Sequence, residues 1–340
     1  MAKLKHLAAG AAVLLAATTS VQAGTTFDAV KKKGFLQCGV STGLPGFSNQ
    51  DDKGNWKGID VDVCRAVAAA MFGDASKVKY TPLNAKERFT ALQSGEVDLL
   101  SRNTTWTLTR DTSLGINFAG VNYYDGQGFM VKKSLGVKSA KELDGATICI
   151  QAGTTTELNL ADYFRAQGMK FNPLSLDTSD ATAKAFDAGR CDVLTSDQSQ
   201  LYALRIQLSK PESAVVLPEV ISKEPLGPAV RQGDDEWFNL VKWSLFTMLE
   251  AEDLGISSKN VDQLKRSSKN PSHMRVLGVT PGMGEKLGVP DDFGYNIVKQ
   301  VGNYAEIFDK NVGEGSPLKI SRGLNALWKD GGIQYAPPVR

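Results

Sequence analysis

Histidine is almost missing from this chain: of 340 residues only His6 and His273 carry an imidazole. No close cysteine pair stands with His273, so the ligand spacing of a zinc site is absent and no metal or other cofactor is expected. Excess charge of one sign is lacking as well. Lys and Arg number 39 against 37 Asp and Glu, and Lys3 and Lys5 fall within the first 23 residues, which hold no acid. Beyond that segment the charges balance, which argues against nucleic acid or an anionic membrane as the main partner. Long apolar runs are scarce too. Leu7 to Ala17 is the one such stretch, shorter than the roughly 20 residues a bilayer span needs.

What is present begins with an export signal. Lys3 and Lys5 precede that apolar run, and Val21-Gln-Ala23 offers a small-residue cleavage site before Gly24. Residues 1–23 are therefore read as a signal peptide. A Gly rather than a Cys after the cut leaves no lipoprotein anchor, so a freely diffusing periplasmic protein is expected. About 317 residues remain, enough for two lobes.

The chain says one thing twice. Ala91-Leu-Gln-Ser-Gly95-Glu-Val-Asp98-Leu-Leu-Ser101 recurs as Ala185-Phe-Asp-Ala-Gly189-Arg-Cys-Asp192-Val-Leu-Thr195. Each copy reads as a helix ending at Gly, followed by a short buried strand with a polar end. Around the first copy, Phe35 to Ser41, Val78 to Leu83 and Val97 to Ser101 are predicted strands, and Gly58 to Phe72 and Lys86 to Ser94 predicted helices. Around the second, the strands are Ala146 to Ala152, Phe171 to Leu176 and Cys191 to Thr195. Thr156 to Gln167 and Asp180 to Ala188 are the helices between them. Such alternation implies an α/β protein with mainly parallel sheets, and ligand crevices lie at the carboxyl ends of parallel strands.

Two crossings between lobes are predicted, at Asn122 to Gly128 and at Glu224 to Ala229. The first lobe then comprises 24–123 and 229–340, and the second 124–228. Trp237 to Leu249 and Tyr304 to Asn311 read as helices that close over the first lobe. Residues 259–300 read as an extended, irregular elaboration. Four cysteines allow three pairings. Cys38–Cys64 and Cys149–Cys191 are favoured, because each would staple one lobe and leave the lobes free to move.

Gly58-Ile-Asp60-Val-Asp62-Val-Cys64-Arg-Ala-Val67 opens a helix with acids in its first turn, where the helix dipole favours them. The same string resembles the signature of the family 3 periplasmic solute-binding proteins, the amino-acid-binding components of ABC importers. Pro45-Gly-Phe47-Ser, Asp98-Leu-Leu-Ser101, Arg110, Gly153-Thr-Thr-Thr-Glu157 and Ala188 to Asp197 carry the resemblance over roughly residues 27 to 250. Gly302-Asn-Tyr304 and Arg322 to Trp328 are similar to the longer, general L-amino-acid-binding branch. The resemblance implies a two-lobed type II binding-protein fold with two hinge crossings. It also implies free L-amino acids and an inner-membrane permease with its ATPase as partners, and a monomer without enzymatic activity.

It further implies roles for particular residues. Arg110, twelve residues after Asp98, matches the arginine that grips the ligand α-carboxylate, a task suited to a planar charged fork. A salt bridge to Asp111 or Asp74 is the structural alternative. Asp197 matches the carboxylate that holds the ligand ammonium, and it is equally placed to cap a helix. Asn103, Thr104 and Thr105 match residues supplying backbone and hydroxyl hydrogen bonds. Thr155 matches the residue completing the carboxylate cage, with capping as the alternative for Thr154 to Thr156. The chain departs from the pattern at Ala85 and Leu44, where aromatics are usual, and at Ser41, where an acid is usual. A larger, neutral side-chain pocket with broad specificity is expected, with Trp106 supplying aromatic surface or simply packing in the core. Amino-acid sensing, or dehydratase chemistry on the same fold, are the other readings. The second lacks a tuned general acid, with only carboxylates such as Asp197 or Glu157 available.

Overall fold

The computed structural model describes residues 26–340; the signal-peptide reading of residues 1–23 lies outside them. Two five-stranded sheets dominate, and they share one layout. In the first, Leu36–Ser41 lies between Val78–Leu83 and Leu99–Leu100, all parallel. Ala229–Arg231 then joins antiparallel, with Ile116–Phe118 at the edge. In the second, Thr147–Gln151 lies between Asn172–Leu176 and Val193–Asp197, again parallel. Gln127–Lys132 joins antiparallel, with Ala214–Val216 at the edge. The antiparallel strand in each sheet is the one that follows a crossing, so the chain enters each lobe against the grain of its neighbours.

The repeated segment falls where its pattern predicts. Helices Arg88–Ser94 and Ser179–Asp187 lead into strands Leu99–Leu100 and Val193–Asp197. Gly95 and Gly189 turn the chain between them with φ of 82° and 72°, a left-handed conformation that costs other residues a Cβ clash. Helix Ile59–Phe72 is buried on almost every face. It packs under Asp235–Asp253, Phe293–Gln300 and Tyr304–Asn311, so sequence-distant helices form one apolar body around the first sheet.

The disulfides are Cys38–Cys64 and Cys149–Cys191, with Cα separations of 6.4 and 5.7 Å. Each ties elements of a single lobe. The crossings meet as a two-stranded antiparallel ribbon, Tyr123–Asp125 against Glu224–Leu226.

The 259–300 region corrects its sequence reading. It is not extended but folds into short helices, Val261–Ser267, Pro271–Val276 and Phe293–Gln300. Pro271 sits in the first turn of its helix and Asn270 accepts the Ser272 amide, a standard start. Ile256, Val261, Val276, Leu277 and Val298 gather into a small core of their own.

Candidate functional site

The carboxyl ends of the parallel strands in the two sheets face each other, and the lobes touch there. Lys86 reaches Asp177 at 2.8 Å, and the Asn103 side-chain amide donates to Gln200 at 3.1 Å. Gly153 permits this approach, since a Cβ there would stand 2.9 Å from the Lys86 side chain. Between the contacts lies a small cavity of about 20 Å³. Arg88, Arg102, Asn103 and Thr105 line it from one lobe. Gln151, Thr154, Thr155, Thr156, Ser196, Asp197 and Gln200 line it from the other.

Charge is segregated across this cavity. Arg88, Arg102 and Arg110 come from the first lobe and all are buried. Arg102 is anchored, its Nε donating to the Leu83 carbonyl at 2.9 Å. Burial lowers its pKa to about 10, with nearby Asp60 partly offsetting the effect. Arg110 Nη1 donates to the Thr105 carbonyl at 2.9 Å, and its guanidinium lies 5.1 Å from the Phe89 ring centroid. Arg88 is the least partnered: Nη1 makes one long contact, 3.4 Å to Thr104 Oγ1, and Nε has none. Burial, with Arg102 and Arg110 adding repulsion, works strongly against its charge.

The opposing carboxylate is Asp197, at the end of strand Val193–Asp197. It stands at the N-cap position of Gln198–Arg205, yet its side chain makes no capping hydrogen bond. Burial, with Asp125 and Glu224 nearby, pushes its pKa well above the usual carboxylate range, against the pull of Arg88 and Arg110. A desolvated carboxylate without a donor is costly unless a cation joins it.

The eight candidate residues separate accordingly. Asn103, Thr105, Thr155 and Asp197 line the cavity. Arg110 stands behind Thr105, and no salt bridge to Asp111 or Asp74 is formed among the described residues. Thr104 is buried and donates to the Arg102 carbonyl at 2.8 Å, shaping the loop rather than facing the cavity. Ser41 is buried at its strand end with its hydroxyl unpaired, and its amide donates to Ser48 Oγ. Trp106 is 38% exposed and stacks on Phe118 at 5.6 Å, so it supplies no wall to this cavity. Asp60 does open a helix, as the charge pattern predicts. Its carboxylate also accepts the Asn103 amide at 2.7 Å and the Asn122 side chain at 3.2 Å, which fixes the cavity-lining loop to the crossing. Burial raises its pKa to about 6 despite these bonds.

Residues 36–259 match the family model of the bacterial extracellular solute-binding proteins, family 3. The chain belongs to this family. It is 64% identical over 332 residues to the putative amino-acid ABC transporter-binding protein YhdW of Escherichia coli, covering 98% of this chain and 97% of that one. It is 61% identical over 340 residues to the general L-amino acid-binding periplasmic protein AapJ of Rhizobium johnstonii, covering 99% of each. A periplasmic binding protein from Brucella ovis, solved with glutathione bound, superimposes with a TM-score of 0.91 at 58% identity. That match covers 93% of this chain and all of that one.

Two residues of this solute-binding protein carry weight that the sequence reading missed. Arg88 lies in a short helix where a charge looks like an ordinary surface residue. Glu224 lies in a crossing read only for its prolines and glycine, yet it is almost fully buried and accepts four side-chain hydrogen bonds. The signal available for both was the same: a charge inside an element that must be covered once the lobes meet.

Proposed function

We propose that this protein captures L-amino acids in the periplasm and delivers them to an inner-membrane ABC permease, acting as a binding protein and not as an enzyme. The observation that carries the reading is the pair of unmatched charges across one cavity, guanidinium on one lobe and carboxylate on the other. An α-amino acid has the reverse arrangement on two adjacent substituents. Arg110 with Arg88 would take the α-carboxylate, and Asp197 the ammonium, each with a charge-assisted hydrogen bond. Because the contacts come from both lobes, the ligand binds the closed form better than the open one, which is what drives hinge closure. The ribbon of Tyr123–Asp125 and Glu224–Leu226 is the natural hinge. Export through a cleaved signal and a monomeric state belong to the same reading.

Small or neutral groups at Ala85, Leu44 and Ser41 favour broad side-chain tolerance. Glutathione carries a free α-amino and α-carboxyl group on its γ-glutamyl end, so its presence in a relative fits the same head-group recognition. The test is calorimetric titration of the refolded, ligand-free mature protein with the twenty L-amino acids, their D-isomers and glutathione. Several side-chain classes should bind and D-isomers should not. Arg110→Lys should fold normally and lose at least about tenfold in affinity, since a point charge cannot reproduce the fork. Unchanged affinity in that variant would remove Arg110 from the site.

A further inference from the structure

Glu224 sits at the hinge but its carboxylate points to the seam between the lobes. Oε2 accepts the hydroxyl protons of Thr105, at 2.7 Å, and of Thr155, at 2.9 Å, one from each lobe. Oε1 accepts from Asn159 Nδ2 at 2.6 Å and Ser222 Oγ at 2.7 Å. A hydroxyl has one proton and two lone pairs. With both protons drawn back to Glu224, Thr105 and Thr155 can show the cavity only lone pairs. Asp197 on the same cavity is acceptor-only when ionised. Thr105 and Thr155 therefore offer acceptors and no hydroxyl donor there; the other cavity hydroxyls are those of Thr154, Thr156 and Ser196.

We propose that Glu224 is a specificity-determining residue: by fixing the hydroxyl protons of Thr105 and Thr155, it makes the cleft demand a donor-rich α-ammonium and reject 2-oxo and 2-hydroxy acids. The inference rests on the amino-acid reading above. An ammonium brings three donors to this wall, so the Thr155 hydroxyl serves the ammonium and not the carboxylate cage that the resemblance implies for it. A 2-oxo group brings only lone pairs, which meet lone pairs, and a 2-hydroxy group brings a single proton. Glu224 does not itself line the cavity, so it acts through the two threonines.

Glu224→Gln isolates this role with almost no change of shape. Asn159 can only donate from Nδ2, so the glutamine oxygen should take the Oε1 position. Its amide nitrogen then faces Thr105 and Thr155 and donates to both. Their hydroxyl protons are freed to turn into the cavity. The substitution also alters the field at Arg88, Arg110 and Asp197; the arginine part cancels between an amino acid and its 2-oxo analogue, which share the same carboxylate. The Asp197 part bears on the ammonium and so on the ratio, and Thr105→Val and Thr155→Val, which keep the Glu224 charge, separate it from the effect of the hydroxyl protons.

The experiment measures dissociation constants for L-alanine against L-lactate and pyruvate, and for L-glutamate against 2-hydroxyglutarate and 2-oxoglutarate. Wild type should prefer the amino acid by about a hundredfold or more, and Glu224→Gln should reduce that ratio at least about tenfold. Thr155→Val and Thr105→Val, which each delete one acceptor, should shift the ratio in the same direction if Glu224→Gln does not fold. A wild type that binds the amino acids, with a ratio unmoved in the folded variants, overturns the role of Glu224 alone. A wild type that binds neither amino acid overturns the amino-acid reading and this inference together.

Discussion

Asp197→Asn is expected to fold and to bind L-amino acids at least about a hundredfold more weakly, a loss on the order of 3–5 kcal/mol. The substitution keeps the size of the side chain and its place at the end of strand Val193–Asp197, which accounts for the intact fold. It removes the one unpartnered carboxylate on the wall that would meet the ammonium, which would then be buried without a counter-charge. Lost capping is not a competing explanation, because Asp197 makes no capping bond to lose. Acidification should reach part of the same loss in the wild type. The folded pKa of Asp197 is raised by burial, then by Asp125 and Glu224, and only partly restored by Arg88 and Arg110. Protonation of Asp197 therefore favours the folded form at low pH, and that stabilisation disappears as pH rises through the raised value. The ligand ammonium has the opposite preference, since it needs the ionised form. Binding should weaken as pH falls through that range and should release protons, and Asp197→Asn should flatten most of the slope. Asp125, itself raised to about 6 by burial, accounts for what slope is left. Calorimetry in buffers of different ionisation enthalpy measures both. A variant with wild-type affinity and an unaltered pH profile would exclude Asp197 from the ammonium site.

The parts of this molecule legible in its sequence are those with local causes. Gly95 and Gly189 mark helix ends because few other residues tolerate their backbone angle, and the apolar runs after them can only be buried strands. The alternation of such units implies the two parallel sheets, and the cysteines, on two strands, a helix and the turn before Val193–Asp197, pair within lobes as expected. Helices of six to eight residues, such as Pro271–Val276, span too few turns to build a recognisable apolar stripe, so the 259–300 region looks irregular until it is seen packed. The site divides in the same manner. Arg110 and Asp197 stand out through resemblance and spacing. Arg88 and Glu224 become special only when the second lobe removes water from them, and nothing within a few residues of either announces it. Trp106 illustrates the converse: a tryptophan beside the cavity-lining loop invites a ligand role, and its ring stacks on Phe118 at the edge strand, outside the cavity lining.

Replacing Arg88 should separate stability from function most sharply. Arg88 is 3% exposed, with two further guanidinium groups nearby, one long hydrogen bond and a bare Nε. Removing one member of a matched ion pair is normally destabilising, because the other member is left behind. Arg88 differs, since Arg102 and Arg110 oppose its charge more than Asp197 and Glu224 favour it, and it is hydrogen-bonded to neither carboxylate. Arg88→Met keeps most of the side-chain volume and removes a desolvated charge, so the ligand-free protein should gain about 1–3 kcal/mol. A bound carboxylate is the group that would satisfy that charge. The same variant should therefore lose affinity for L-amino acids about tenfold or more, as expected where a binding site holds an unfavourable arrangement in reserve for its ligand. Thermal unfolding without ligand and titration with ligand measure the two halves separately. A lower melting temperature with unchanged affinity would make Arg88 a structural residue, leaving Arg110 alone to face the ligand carboxylate. A higher melting temperature with weakened binding would show that the first lobe stores unmatched positive charge for an anion to neutralise on closure.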